Sequence, residues 1–258
     1  MLSQSRHKLA LLGASGRMGR KVYEVIHEFP DFQLAAALVS SRSSQIGKRC
    51  AAEHPLEFST DIAQALAQCD CIMDFSEPRA TQLLMQALRK HPKPVLIGTT
   101  GHNQEQLQGI QEIAEIAPVI LASNTSLGVF VVEQLARHAQ KLLGSSFEIE
   151  IIETHHAGKK DFPSGTAGTL ARALNSDGSK SIVQQRSAAR AAGEIGITSV
   201  RGGDVIGDHT ILFLGKGERV EITHRATERS LFARGAFILL EKLLTRRAGL
   251  FTPADLLK

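Results

Sequence analysis

The chain has 258 residues, 43% of them hydrophobic and 22% charged, with a formal net charge of +4. That length accommodates two domains or one large α/β domain, and the composition is ordinary for a globular protein. The mild charge and the scarcity of stacking aromatics argue against a nucleic-acid partner. No apolar run approaches the ~18 residues of a membrane helix, which argues against a membrane partner.

The polar start from Met1 to Lys8 lacks the apolar stretch of a secretory signal, so a cytoplasmic location is expected. Cys50, Cys69 and Cys71 form no CxxC pair, and no metal site is expected from them. Cys69 and Cys71 precede an apolar run, where burial is the simplest expectation.

Lys8–Leu12 reads as a strand that ends at a glycine-rich turn, and Arg17–Glu28 as a helix with Met18, Val22, Val25 and Ile26 at helical spacing. Strand Gln33–Val39 follows, then helix Asp61–Gln68 capped by Thr60 or Asp61, and strand Cys71–Phe75. Helix Arg79–Lys90, strand Val95–Gly98, helix Gln104–Ile116 and strand Val119–Ala122 continue the alternation. Such an alternation predicts a Rossmann-type, doubly wound parallel sheet. After Ser126 the pattern changes to one long helix, Leu127–Leu143, and a strand, Phe147–His155, with interleaved polar and apolar residues. A short helix from Thr166 is followed by strands Ile195–Arg201, His209–Leu214 and Arg219–Arg225, separated by tight glycine turns. They predict a mixed or antiparallel sheet, hence a second domain of α+β type. The interval 175–193 reads as an exposed loop. The closing helix Phe232–Arg247 is expected to return to the first domain. The expected division is 1–127 with 235–258 for dinucleotide binding, and 128–234 for substrate binding and assembly.

Gly13-Ala14-Ser15-Gly16-Arg17-Met18-Gly19 sits between the first strand and the first helix, where a dinucleotide loop belongs. Its GxxGxxG spacing is not the GxGxxG fingerprint, but the physical need is similar. Glycine lets the backbone turn sharply and approach a pyrophosphate, whose charge is met by amides at the helix start. An NAD enzyme would carry a carboxylate at the end of the second strand, ~20 positions on. That place reads Leu38-Val39-Ser40-Ser41-Arg42, two hydroxyls and a guanidinium suited to a 2′-phosphate. Either NADPH or NADH fits the loop, and this second strand predicts a preference for NADPH.

The densest polar cluster is Glu150–Ala167. His155 and His156 end a strand, Lys159 and Lys160 follow in a glycine-bearing loop, and Pro163-Ser164-Gly165-Thr166 opens a helix. Histidine can deliver a proton near neutral pH, and a nearby lysine can hold or polarise an anionic substrate. The Ser164–Ala167 turn offers hydroxyls and amides at a helix start, a place for a carboxylate. Taken singly, these pieces read as a structural histidine, a solvated lysine pair and an N-cap.

This cluster resembles the signature of the 4-hydroxy-tetrahydrodipicolinate reductase (dihydrodipicolinate reductase) family, E-[IV]-x-E-x-H-x-x-x-K-x-D-x-P-S-G-T-A, with no position missing. The resemblance extends to the family's G-x-x-G-R-M-G loop at Gly13–Gly19 and its D-F-[ST] at Asp74-Phe75-Ser76. It continues through Gly98-Thr99-Thr100-Gly101, Ser123-Asn124, Arg201-Gly202-Gly203-Asp204, Gly217-Glu218-Arg219 and Thr223-His224-Arg225-Ala226. The match runs from about Lys8 to Leu250.

The resemblance implies that His155 is the general acid/base and Lys159 a second proton-donating or polarising group. It places His156, Ser164, Gly165, Thr166 and Thr100 at substrate-binding positions. It places Gly13, Ala14, Ser15, Gly16, Arg17, Met18, Ser40, Phe75, Gly98, Thr99, Thr100, Ala122, Ser123, Asn124 and Thr125 at cofactor contacts. It also implies a small dicarboxylate substrate, a homotetramer, no metal, and reduction in the diaminopimelate route to lysine. Two positions depart from the family: Val39 stands where many members carry Glu, and Thr125 where a larger residue is common. Hinges near 126–128 and 233–235, with closure on ligand, are a further expectation. The glycine loop also permits a reductase of another substrate, such as an amino-acid semialdehyde, or a nucleotide-binding sensor without turnover. Neither explains the histidine–lysine–PSGTA cluster.

Overall fold

The computed structural model describes residues 6–51, 54–184, 186 and 188–257. Met1–Ser5 of the polar Met1–Lys8 start, and Gln185 and Ser187 of the expected loop, lie outside the described residues. The chain divides into two compact units, one up to Ser126 and again from Ser230, the other Leu127–Arg229.

In the first unit the chain runs β1 (His7–Leu12), α1 (Arg17–Val25), β2 (Phe32–Leu38), β3 (Arg49–Ala51), β4 (His54–Ser59), α2 (Ile62–Gln68) and β5 (Cys71–Asp74). It continues with α3 (Pro78–Leu88), β6 (Val95–Ile97), α4 (Gln104–Ala114) and β7 (Pro118–Leu121). The returning segment supplies α7 (Ser230–Leu244), β13 (Gly249–Phe251) and α8 (Pro253–Leu256). Among the described residues the sheet has eight strands, in the order β13-β7-β6-β5-β1-β2-β4-β3. All neighbours are parallel except β3 and β4. The order reverses at β1, which pairs with β2 on one side and β5 on the other, so a crevice opens beyond the carboxyl ends of β1 and β5. The central strands β5 and β6 are apolar throughout except for Asp74, as expected where helices cover both faces. One face packs Val22, Val25, Phe237, Leu240 and Leu243 from α1 and α7; the other packs Leu66, Leu84, Leu88, Ile110 and Ile113 from α2, α3 and α4.

Local chemistry explains the helix starts. Asp61 caps α2 by accepting from the Gln64 amide at 2.9 Å. Asn103 and Gln106 form a reciprocal capping box on α4. Three details differ from the sequence-based expectation. The α1 helix ends at Val25 and passes into a 3₁₀ turn, Ile26–Glu28. Strands β3 and β4 extend the sheet beyond β2, and β13 adds an edge at the other side. Cys69 and Cys71 are buried, as expected.

The second unit contains α5 (Leu127–Leu143), β8 (Glu148–His155), α6 (Gly165–Leu174), β9 (Ser181–Gln184), β10 (Glu194–Arg201), β11 (Gly207–Leu214) and β12 (Arg219–Ala226). The sheet order is β12-β11-β8-β10-β9. The pairs β8/β10 and β10/β9 are parallel, whereas β8/β11 and β11/β12 are antiparallel, which makes the sheet mixed. Ile149 and Ile151 of β8, Ile195 and Ile197 of β10, and Ile211 and Phe213 of β11 form a core with Ala136 of α5 and Leu170 of α6. The interval 175–193 is not wholly a loop: it contains β9, and Arg186 and Arg190 fasten it to Glu150 of β8. Four residues, Ser-Ile-Val-Gln, are too short a run to stand out from their polar surroundings.

Candidate functional site

The cofactor candidates of the first unit gather at the carboxyl ends of its parallel strands. Gly13 follows β1 at φ +79°, and a Cβ placed on it would lie 2.2 Å from the Phe75 carbonyl oxygen. Only glycine fits there, because the backbones after β1 and β5 nearly touch. The Gly13 and Ala14 amides both donate to the Leu38 carbonyl, at 3.0 and 2.9 Å. The Tyr23 hydroxyl, on α1, donates to the Ala14 carbonyl at 2.5 Å and so steadies the turn from the helix side. Gly16 begins α1 with no side-chain cap, which leaves the first-turn amides of Arg17 and Met18 open to an anion. Arg17 is exposed and Ser15 half-buried beside them. This cradle fits a nucleotide pyrophosphate: a tight backbone turn, uncapped amides and no acidic residue in the helix's first turn.

The neighbouring strand ends are held by one buried carboxylate. Asp74, the last residue of β5, is 0% exposed. It accepts from the Ser76 amide at 3.0 Å, the Ser76 hydroxyl at 2.5 Å, Thr81 Oγ1 at 2.5 Å and Thr99 Oγ1 at 2.9 Å. Burial pushes its pKa up, opposed by these donors. Gly98 donates from its amide to the Asp74 carbonyl at 2.8 Å, and its Cα faces the Phe75 ring. Thr99 is thus buried beneath the loop while Thr100 is exposed upon it. After β7, the Ala122 amide donates to Ile97 at 2.9 Å, Ser123 is exposed, and Asn124 Oδ1 accepts from the Ser126 amide at 2.8 Å. Thr125 is 3% exposed and donates to the Phe232 carbonyl at 2.6 Å. The residue that departs from the family pattern therefore ties this loop to the start of α7. Ser40, beyond β2, is exposed, and its Oγ accepts from the Arg42 amide at 3.3 Å, folding Ser40–Arg42 into a compact turn.

In the second unit the site is built at the end of β8. Strand alternation puts Glu153 and His155 on the buried face, continuing the row of Ile149 and Ile151. His155 Nδ1 meets Glu153 Oε2 at 2.5 Å. Burial lowers the His155 pKa below its ordinary 6.5, outweighing the Glu153 carboxylate, which raises it. Lys159 extends from the loop after β8, its Nζ donating to both Asp161 oxygens at 2.9 and 2.8 Å. His156 is half-buried beside it. Ser164 caps α6, accepting from the Ala167 amide at 3.2 Å, and its Oγ lies 3.1 Å from His209 Nε2. Its side chain is turned inward at 2% exposure, whereas Gly165 is exposed and Thr166 half-buried on the helix's first turn. The unit thus gathers an imidazole, an ammonium group and a helix N-terminus, which can donate a proton to a substrate while binding its carboxylates.

Sequence assigns no role to four participants: Asp74 as an organising acceptor, Glu153 behind His155, and Arg201 and His209 from β10 and β11, the first three standing only as motif positions. Glu153 was detectable, because residues i and i+2 of a strand share a face. Arg201 and His209 come together with it only through strand register. Among the described residues no group of three or more His, Cys, Asp or Glu is arranged to hold a metal ion.

A Rossmann-type unit with a glycine cradle, and an α+β unit with an imidazole, an ammonium group and a helix N-terminus gathered at one strand end, are the build of a pyridine-nucleotide-dependent oxidoreductase. The chain belongs to the dihydrodipicolinate reductase family, whose N-terminus model matches residues 7–125 and whose C-terminus model matches residues 128–257. It is 40% identical to the 4-hydroxy-tetrahydrodipicolinate reductase of Syntrophotalea carbinolica, over 97% of this chain and 98% of that one. It is 39% identical to the enzyme of the same name from Nitrosomonas europaea, over 96% and 97% of the two chains. Among solved structures, a dipicolinate-bound dihydrodipicolinate reductase from Paenisporosarcina sp. TG-14 shares the fold, with a TM-score of 0.79 at 23% identity and coverage of 96% and 97%.

Proposed function

We propose that the chain is a cytoplasmic, homotetrameric enzyme that reduces 4-hydroxy-tetrahydrodipicolinate, by way of dihydrodipicolinate, to tetrahydrodipicolinate in the diaminopimelate route of lysine biosynthesis. The observation that carries the reading is the assembly of His155, Lys159 and the α6 N-terminus at the end of one strand. A nicotinamide nucleotide, when bound, supplies the hydride for C4 of the substrate. His155 delivers the proton that C3 must then gain, and Lys159 holds or polarises the substrate beside it. One substrate carboxylate is held by the first turn of α6, at Gly165 and Thr166, with His156 and Thr100 as further contacts. The ion pair with Asp161 keeps Lys159 near the loop surface, where the dicarboxylate competes for it.

The nucleotide is held by Gly13–Met18, by Phe75 and Gly98–Thr100, and by the loop Ala122–Thr125. NADPH is preferred over NADH: Val39 is buried and cannot bind a ribose hydroxyl with its side chain, whereas Ser40 and Arg42 are exposed for a 2′-phosphate. The homotetramer is supported by the sheet face of the second unit opposite α5 and α6, where Ile152 is 37% and Val200 44% exposed. Sedimentation velocity tests this, and a monomer at micromolar concentration refutes it. The function is tested by following NADPH fluorescence with the coupled product of pyruvate and aspartate semialdehyde as substrate. Turnover with kcat/KM higher for NADPH than for NADH is expected. Nucleotide binding without turnover overturns the activity, and a higher value for NADH overturns the preference.

A further inference from the structure

Glu153 is a carboxylate at 0% exposure, and a charge so buried must have its oxygens satisfied. Arg201 Nη2 donates to Oε1 at 2.7 Å and Arg201 Nη1 to Oε2 at 2.9 Å, a bidentate pair. The Ser164 amide adds a bond to Oε1 at 3.2 Å, and His155 Nδ1 completes the set at Oε2. Arg201 ends β10 directly opposite His155 in the parallel register. The same guanidinium donates to the Asp161 carbonyl at 2.9 Å, in the loop whose Asp161 carboxylate holds Lys159. One side chain therefore touches the supports of both the imidazole and the ammonium group.

An ionised carboxylate accepts hydrogen bonds and cannot donate them, so the proton between the two groups belongs to Nδ1. The other ring nitrogen, Nε2, faces Gly207 of β11, where a Cβ would stand 2.9 Å away. Burial pushes Glu153 up, but the Arg201 guanidinium, the Ser199 hydroxyl and His155 hold it down to about 2, so it does not compete for the proton.

Building on the reading of His155 as the proton donor, we propose that Arg201 and Glu153 are positioning residues for catalysis. The bidentate Arg201–Glu153 pair commits His155 Nδ1–H and makes Nε2 the nitrogen that gives up the proton, while the Arg201 bond to the Asp161 carbonyl sets the Lys159 loop. In the step itself the Nε2–H bond of the imidazolium breaks, a C–H bond forms at the substrate carbon, and a neutral Nδ1–H ring remains. Solvent returns the proton between turnovers.

The test is ¹⁵N NMR of histidine-labelled full-length protein, with His155 assigned by its loss in His155→Gln, alongside steady-state kinetics. The free wild-type protein is expected to show His155 in the Nδ1–H form. In Glu153→Gln, Arg201 and the Ser164 amide retain the carbonyl oxygen, so the introduced NH₂ faces Nδ1 and selects the Nε2–H form instead. We expect kcat to fall about 10²-fold while KM for the nucleotide stays within about twofold. The alkaline fall in kcat moves to lower pH, because Glu153 is the group that raises proton affinity at His155. Burial and the facing Arg201, Lys159 and His209 oppose it. An unchanged tautomer or wild-type kcat in Glu153→Gln overturns the proposal. Arg201→Lys, which keeps the charge but cannot bridge two sites, is expected to lower kcat about tenfold with the Nδ1–H form retained. Wild-type kcat in that variant removes Arg201 from the assignment. A fully active His155→Ala overturns the underlying donor role instead, and the two failures are therefore distinguishable.

Discussion

Thr99 Oγ1 donates to Asp74 Oδ1 at 2.9 Å and so joins the carboxyl ends of neighbouring strands β6 and β5. The same carboxylate accepts from Thr81 on α3 and from Ser76 in the following loop, and one buried side chain thus sets three segments of the nucleotide side. Asp74→Ala strands these donors in the interior. It is expected to cost about 2–4 kcal/mol of stability and to weaken nucleotide binding with it. Urea denaturation and nucleotide titration check both effects, and a loss below about 0.5 kcal/mol contradicts the role.

Gly13→Ala places a methyl group 2.2 Å from the Phe75 carbonyl, at φ +79° where an L-residue is strained. The backbone after β1 must shift, taking the cradle with it. Calorimetric titration with the nucleotide should show a Kd raised by more than about tenfold, that is over about 1.4 kcal/mol. An unchanged Kd shows that the loop does not set the pyrophosphate.

His155→Ala is expected to lower kcat by about 10²–10⁴ with nucleotide affinity intact, the signature of a lost proton donor. Lys159→Ala should be at least as harmful and should also raise KM for the dicarboxylate, since its carboxylate loses a cationic partner. Near-normal turnover in either variant counts against that residue's role.

Acid should act on the second unit through Glu153. Its pKa is about 2 in the folded protein against an ordinary 4.5, so its stabilising contribution is complete above pH 4.5 and is lost as pH falls toward 2. A shift of that size corresponds to about 3 kcal/mol. The stability difference between wild type and Glu153→Gln should therefore shrink across that window, and a constant difference excludes the linkage.

Turnover should respond at higher pH. In the proposed role His155 donates as the imidazolium, and burial holds its pKa below 6.5, so kcat/KM is expected to fall as pH rises through that depressed value. The bound dicarboxylate favours the imidazolium, and the corresponding fall in kcat is expected at higher pH than that in kcat/KM. Coincident limbs contradict it.

The alternation of the first unit was legible because its central strands are short apolar runs, such as Val95–Ile97, punctuated by turns and amphipathic helices. Strand β4 escaped notice because it begins His-Pro, and proline within a run argues against a strand. The glycine cradle and the His155–Lys159 loop each lie within one stretch of sequence, so local spacing exposes them. Arg201 lies 48 positions from Glu153, and only the parallel pairing of β8 with β10 makes them neighbours. His209 depends likewise on the antiparallel register of β11, which pairs it with Glu153. Local pattern carries no information about such pairings, which belong to the sheet and not to any one segment.

The first unit is assembled from both ends of the chain: Phe237 of α7 stacks on Phe29 with ring centroids 4.5 Å apart, and β13 pairs with β7. During synthesis the opening strands therefore leave the ribosome well before the helix that covers them, with a bare apolar flank. The stretch between is continuous, so it can close on itself first. A released chain truncated after Arg229 should present a finished second unit and an unfinished first one that binds chaperones.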